Sequence, residues 1–447
     1  MRLPLSNPTS DFPLELRRAR LYALAAIVVM MATFAVGARS WAEFFLSHNE
    51  ANGVPVRLFT QTDYPAIAIA SRIVASGRGG QLYDLEEQRR EQDVLASEDY
   101  LDLPQGSPLK YPYPYTPFIA VLWSPIAGMS PLLGMALWDL LNIAALVVGL
   151  WYLLAALPLS GVTRVLLLLA AVTSFPFIVN LEQGQSSGIV MGGLGVGIAL
   201  LRKEKDLLAG LVLGFLLLKT QWLLFIVLVL VWKLRWRALL GIAITGVALT
   251  SLTLLVMGTD WIPDFQRVVG MVQNWDRALL LDPWFSHSLS GGLTALFGRG
   301  TDELVRTITL FATLMLALML AYLWRGPWRP GSPRWDAMVA LTLLATIFTN
   351  LQLNTHDLVL LVLPGALGLS ALYGLGEGST LKVWWYGLLW GSYLIPAFFL
   401  ELALSPTQAW VVRPTTLIIA ALLGVSVAMS LRQPHADIIP QNPSAGS

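Results

Sequence analysis

From Leu132 to Leu157 the chain runs with a single charged side chain, Asp139, and runs of this kind recur from Leu21 to Leu431. A stretch of ~20 apolar residues is what a bilayer-crossing helix needs. Hydrophobic residues make up 55% of the 447, charged residues only 13%, and the mean hydropathy is +0.64. A water-soluble surface of that size needs far more charge. Counting shorter runs as well, the reading is an all-α, polytopic transmembrane protein of about twelve spans. They are Leu21–Ala38, Leu132–Leu157, Val165–Val179, Ser187–Leu201, Leu207–Leu218, Trp222–Trp232, Leu239–Met257, Leu304–Trp324, Met338–Leu351, Leu358–Tyr373, Trp384–Phe399 and Thr415–Leu431. Leu207–Leu218 and Trp222–Trp232 read as one hairpin that goes out and returns. Many of the 17 Trp and 12 Tyr stand near the ends of these runs, where amphipathic rings suit a membrane interface.

Composition excludes several chemistries. There is no Cys, so disulfides, thiolate zinc sites and cysteine nucleophiles are out. A net charge of +1 offers nothing to nucleic acid. No Gly-rich phosphate loop follows a strand pattern, and no soluble segment is large enough to hold a nucleotide sugar. The polar, Pro-containing start ending in Arg17, Arg18 and Arg20 leads into a run too long for a cleaved signal.

Basic residues assign sidedness. Arg17, Arg18, Arg20, Arg202, Lys203, Lys205, Lys233, Arg235, Arg237, Arg325, Arg329, Arg334, Lys382 and Arg432 share one side if the spans alternate. That side is cytoplasmic and holds both termini. Two long polar segments, 39–115 and 258–303, then lie outside. Thr116–Met129 is apolar but broken by Pro117 and Pro125 and preceded by Pro114. Counting it as a span would invert every later loop, so it reads as re-entrant or interfacial. Residues 1–431 read as one transmembrane domain, and the Pro/Asn/Ser-rich tail, 432–447, as disordered and cytoplasmic.

The first outer segment is patterned, not slack. Asp63, Tyr64 and Pro65 precede an apolar helical stretch, 66–75. A Gly-rich turn, 77–80, leads to Tyr83 and Asp84, and a charged helix runs over 85–95. The expectation is two amphipathic helices lying on the membrane surface. Tyr113-Pro114-Tyr115-Thr116-Pro117-Phe118 then leads into the re-entrant segment. Later come Gly184-Gln185 at an outer helix end, Ala209-Gly210, Lys219-Thr220-Gln221 in the hairpin, Arg235-Trp236-Arg237-Ala238 on the inside, and Thr355-His356-Asp357.

In this order and sidedness the motifs resemble glycosyltransferase family 87, polyprenyl-phosphate-mannose-dependent mannosyltransferases of the GT-C fold. The resemblance runs from Leu21 to Pro364. It implies an inner-membrane enzyme that moves a sugar, mannose by analogy, from a polyprenyl-phosphate donor to a glycolipid or glycan acceptor outside, with inversion. An essential acidic residue in the first outer loop is implied, and Asp63 stands at that motif. The chemistry asks for one base to take the acceptor's proton; the phosphate leaving group is already stable as an anion. Asp63 could instead cap the following helix, although Pro65 at the first helical position would make Tyr64 the cap.

The other candidate substrate contacts are Lys219, His356, Gln185, Tyr64 and Tyr113, with Arg267, Arg277 and His287 in the second outer segment. Lys219 either meets the donor phosphate or snorkels to the interface. His356 and His287 raise the question of a divalent cation, but their spacing matches no ligand motif. Asp139, inside a span, either lines a cavity or pairs with a cation such as Lys219. The readings from other classes are a membrane transporter, for which the chain lacks two-fold internal symmetry, and a lipid-linked polysaccharide polymerase or ligase.

Overall fold

The computed structural model describes residues 24–35, 39, 63–98, 100–101, 103–259, 261–275, 286–298, 300–373, 375, 379–403 and 414–433. Among them every regular element is helical. The α-helices are α1 (Leu24–Ala35), α2 (Tyr64–Ala75), α3 (Leu85–Ser97), α4 (Pro117–Trp123), α5 (Pro131–Ala156), α6 (Gly161–Thr173), α7 (Phe175–Glu182), α8 (Ser187–Arg202) and α9 (Asp206–Gly214). They continue as α10 (Leu224–Trp232), α11 (Trp236–Met257), α12 (Trp261–Trp275), α13 (Leu289–Phe297), α14 (Asp302–Leu323), α15 (Pro333–Thr349), α16 (Val362–Leu372), α17 (Thr380–Ala403) and α18 (Pro414–Arg432).

Serine followed by a good helix starter sets several beginnings. Ser130 Oγ accepts from the N–H of Leu133 ahead of Pro131, and Ser332 Oγ from that of Trp335 ahead of Pro333. Each serine satisfies a donor that the first turn leaves open, and each proline stands where no N–H is needed.

Among the described residues five helical stretches are long and apolar enough to cross a membrane: α5, α11, α14, Thr355–Leu372 and α18. A sixth is counted if α6 and α7, bent by 42° at Ser174, form one span. The chain is a membrane protein; among the described residues, five or six of the twelve expected spans lie on helices of spanning length. The expected span Ser187–Leu201 is the 16-residue α8, about 24 Å long at 1.5 Å per residue. The expected hairpin is built from two nine-residue helices, α9 and α10. Its two feet meet, because Arg235 forms an ion pair with Asp206. Thr116–Met129 forms α4 and a 3-10 turn, Ser124–Ile126, too short to cross.

α5 and α8 touch through backbone. A Cβ on Gly192 would fall 2.5 Å from the carbonyl oxygen of Ala145, so only glycine permits this spacing. Around this pair lies the main core, from Leu146 through Trp222 and Leu363 to Met429. At one end of it basic residues gather. Arg202 pairs with Asp336, Lys203 sits 3.9 Å over the Tyr152 ring, and Lys233 donates to the carbonyl of Trp324 at 3.1 Å. Ser187, at the other end of α8, belongs to the opposite end of the bundle.

A second core caps that opposite end. It includes Tyr64, Ile69, Ile73, Leu82, Leu95, Tyr113, Ile119 and Trp138. Here the expected pair of amphipathic surface helices is corrected. Ten of the twelve residues of α2 are buried, so it is an internal strut. α3 turns polar side chains inward: Gln88 donates to Leu82 O at 2.7 Å and accepts from the N–H of Tyr113 at 2.9 Å. Arg78 pairs with both Glu87 and Glu91. A helix whose buried face is polar looks, in sequence, like one lying in water.

Candidate active site

The site begins with the turn after α7. Gly184 has φ +64°, and a Cβ there would lie 2.6 Å from Tyr64 Cβ. A side chain is excluded on both counts. The indole N–H of Trp138 donates to Gly184 O at 2.8 Å and to Gln185 O at 3.1 Å. The N–H of Asp63 donates to Gln183 O at 2.9 Å. The turn 183–185 is therefore clamped between the start of α2 and the side of α5.

Asp63 occupies the cap position of α2, one residue earlier than the sequence reading placed the cap, yet its side chain makes no capping bond. Pro65, second in the helix, removes one of the two N–H groups a capping carboxylate would use. The carboxylate turns instead to Gln185, whose Nε2 donates to Asp63 Oδ2. Asp63 keeps an exposed surface while protein crowds around it at longer range, as for a side chain on the wall of a hollow. That crowding pushes its carboxyl above the usual carboxylate range, opposed by the Gln185 bond and the charge of Lys219.

Lys219 is buried at a break in the helix. The 3-10 segment Phe215–Trp222 loses helical geometry there, with φ −136° and ψ 77°. Its ammonium lies 3.4 Å from Gln185 Oε1 and 3.6 Å from Asp357 Oδ1. Asp357, not Asp139, is its carboxylate partner. Asp139 is buried and, among the described residues, neither of its oxygens has a hydrogen-bond partner.

Asp357 is fixed in turn. Ser187 Oγ donates to its Oδ1 at 2.7 Å, and the N–H of Asn354 approaches its Oδ2 at 3.4 Å in a capping box. His356 sets Nδ1 2.9 Å from Gln183 Oε1 and Nε2 3.4 Å from Asp357 Oδ2. Tyr115 completes the group, its hydroxyl near Gln185 and the charges of Asp63 and Asp357. Burial pushes its phenol up. Thr116 ties this segment to the Lys219 break by donating to Leu218 O at 3.3 Å.

Asp63, Gln185, Lys219 and His356 thus meet in one cluster. Tyr64 borders it, its hydroxyl accepting from the Trp123 indole at 3.1 Å. Tyr113 is occupied within the cap, donating to Thr116 O at 2.8 Å and accepting from the N–H of Ala120 at 3.2 Å. His287 stands one residue along, its Nε2 3.1 Å from Thr355 Oγ1. Arg267 pairs with Asp264 at 2.6 Å and lines a separate hollow with Gly80, Tyr83 and Asp84. Arg277 lies outside the described residues. Among those residues no three His, Asp or Glu are grouped to hold a metal ion. Tyr115, Ser187 and Gln183 were not singled out in sequence. The alternation Tyr111, Tyr113, Tyr115 was visible, but not which ring faces Asp63.

The sequence profile of glycosyltransferase family 87 matches residues 113–364, more than half of the chain. The match includes Gln185, Lys219, His356 and Asp357, and begins after Asp63. No curated protein and no solved structure matches. With its apolar helices, the chain belongs to glycosyltransferase family 87 and is a membrane glycosyltransferase.

Proposed function

We propose that this glycosyltransferase takes a sugar, mannose by family resemblance, from a polyprenyl-phosphate donor. It passes the sugar to a hydroxyl of a glycolipid or glycan at the outer face of the inner membrane. The observation that carries the reading is the Asp63 carboxylate, open at its surface and one amide away from the buried Lys219 ammonium. A proton acceptor and a fixed positive charge are the two groups such a transfer needs. Basic residues at the far end of the bundle support an outer location for the cluster, with both termini inside.

In this mechanism the acceptor O–H gives its proton to Asp63 as its oxygen attacks the anomeric carbon. The bond from that carbon to the phosphate oxygen breaks on the opposite face, so configuration inverts. The polyprenyl phosphate leaves as a monoester anion beside Lys219, while His356, held between Gln183 and Asp357, steadies the carboxylate that pairs with Lys219. Burial that raises the carboxyl makes it a stronger base while it stays ionised.

The test uses purified full-length protein, polyprenyl-phosphate-mannose labelled in the sugar, and a lipid extract of the host. Label passing to a new glycolipid or glycan with the wild type and not with Asp63→Asn supports the proposal. No transfer from this donor, or full activity in Asp63→Asn, overturns it. Full activity would point to the polymerase or ligase reading.

A further inference from the structure

We propose that Gln185 is a positioning residue for Asp63: its amide fixes the carboxylate and separates it from the Lys219 ammonium. The inference rests on Asp63 serving as the base and adds a task for a residue that resembles, in sequence, a substrate contact.

Both ends of the amide are engaged inside the protein. Gln185 is 8% exposed. Its Nε2 donates to Asp63 Oδ2. Its Oε1 faces Lys219 Nζ at 3.4 Å. The orientation is settled by the two charges: the carbonyl end meets the cation and the N–H end meets the anion. An amide flipped by 180° would set like ends against each other on both sides. Two bonds from Trp138 hold the backbone that carries it.

The arrangement keeps two opposite charges from collapsing onto one another. In direct contact, Lys219 and Asp63 would neutralise each other, leaving a weaker base and an ammonium unavailable to an anion. With the amide between them, Asp63 receives one directional hydrogen bond on Oδ2, and among the described residues no other side-chain bond to it is formed. Lys219 rests on Asp357, which Ser187 holds in place. The titratable groups that face the carboxylate are Lys219, Tyr115 and, beyond them, Asp357 and His356.

Two near-isosteric variants test this. Gln185→Glu keeps the contact to Lys219 and replaces the donor with an acceptor; Gln185→Met keeps the spacer and removes the donor. The Asp63 carboxyl is titrated without substrate by infrared difference spectroscopy against Asp63→Asn, and the pH dependence of kcat/KM is measured beside it. The titration midpoint should rise in both variants, by about one pH unit or more in Gln185→Glu, and the acid limb of kcat/KM should follow it. The donor KM should stay within about two-fold of wild type in Gln185→Met, whereas in Gln185→Glu, whose new carboxylate meets Lys219, it should rise together with the midpoint.

An unchanged midpoint in both folded variants would overturn the inference, as would a raised donor KM with an unmoved midpoint, which would make Gln185 a substrate ligand. Because the titration needs no turnover, a shifted midpoint in a protein that transfers nothing from this donor would sink the proposed reaction and leave the role of Gln185 standing. Transfer with an unmoved midpoint would do the reverse.

Discussion

Lys219 Nζ lies 3.6 Å from Asp357 Oδ1, joining a helix break to the start of a helix more than a hundred residues further along. Both side chains are buried. Removing one partner of such a pair strands the other's charge, at a cost of about 3–5 kcal/mol.

Lys219→Met and Asp357→Asn should therefore each lower the unfolding temperature in detergent. The double variant should be less destabilised than the sum of the two. If Lys219 also meets the donor phosphate, Lys219→Met raises donor KM beyond what Asp357→Asn does. Thermal unfolding of the four proteins, with donor titrations, checks both statements. Strict additivity would mean that the two groups act independently.

The acid side of the pH–rate profile should reflect Asp63. A base works when ionised, and this carboxyl is pushed up by its crowded site. Activity should thus be lost, as pH falls, at a value above the usual carboxylate range. Asp63→Asn should cost roughly 10²–10⁴ in kcat. An acid limb at or below the value of a free aspartate would contradict the crowding around Asp63.

Gly184→Ala should hurt both folding and rate. The residue has φ +64°, where an L side chain costs about 1–2 kcal/mol, and the added carbon meets Tyr64 Cβ at 2.6 Å. Relief of that clash moves the start of α2, and Asp63 with it. The expected result is a kcat loss larger than the loss of folded protein, measured by activity per folded molecule. Wild-type kcat in the alanine variant would show that the turn tolerates the displacement.

Asp139 offers the opposite outcome. Its two carboxylate oxygens are buried without hydrogen-bond partners among the described residues, and an unsatisfied buried polar group costs about 1–3 kcal/mol. Asp139→Leu should raise the unfolding temperature and leave transfer unchanged. A stabilised but inactive protein would reassign Asp139 to the reaction.

What could be read in sequence followed from what each pattern reports. Apolar runs report solvent, so a helical membrane protein was plain. The motifs Gly184-Gln185, Lys219 and His356-Asp357 marked segments that meet in space. Partners were harder. Charge in a span implies a partner but does not name it, and Lys219 proved to sit against Asp357, not Asp139. The number of crossings does not follow from run length, which cannot separate α5 from the paired nine-residue helices α9 and α10. The cap was misread for the same kind of reason. Hydrophobic pattern in α2 shows a helix that avoids water, without showing whether lipid or protein replaces it, and the inward glutamines of α3 have no sequence signature.

Because α2 is enclosed on nearly all sides, the location of Asp63 is inherited from the integrity of everything around that helix. A random mutational screen for lost transfer should consequently recover many alleles in the cap, at residues such as Gln88, Arg78 or Ile69, that never approach a sugar. Inactivity would then be a poor guide to chemistry in this part of the protein. Only variants that keep the cap intact while abolishing turnover identify groups that handle the reactants.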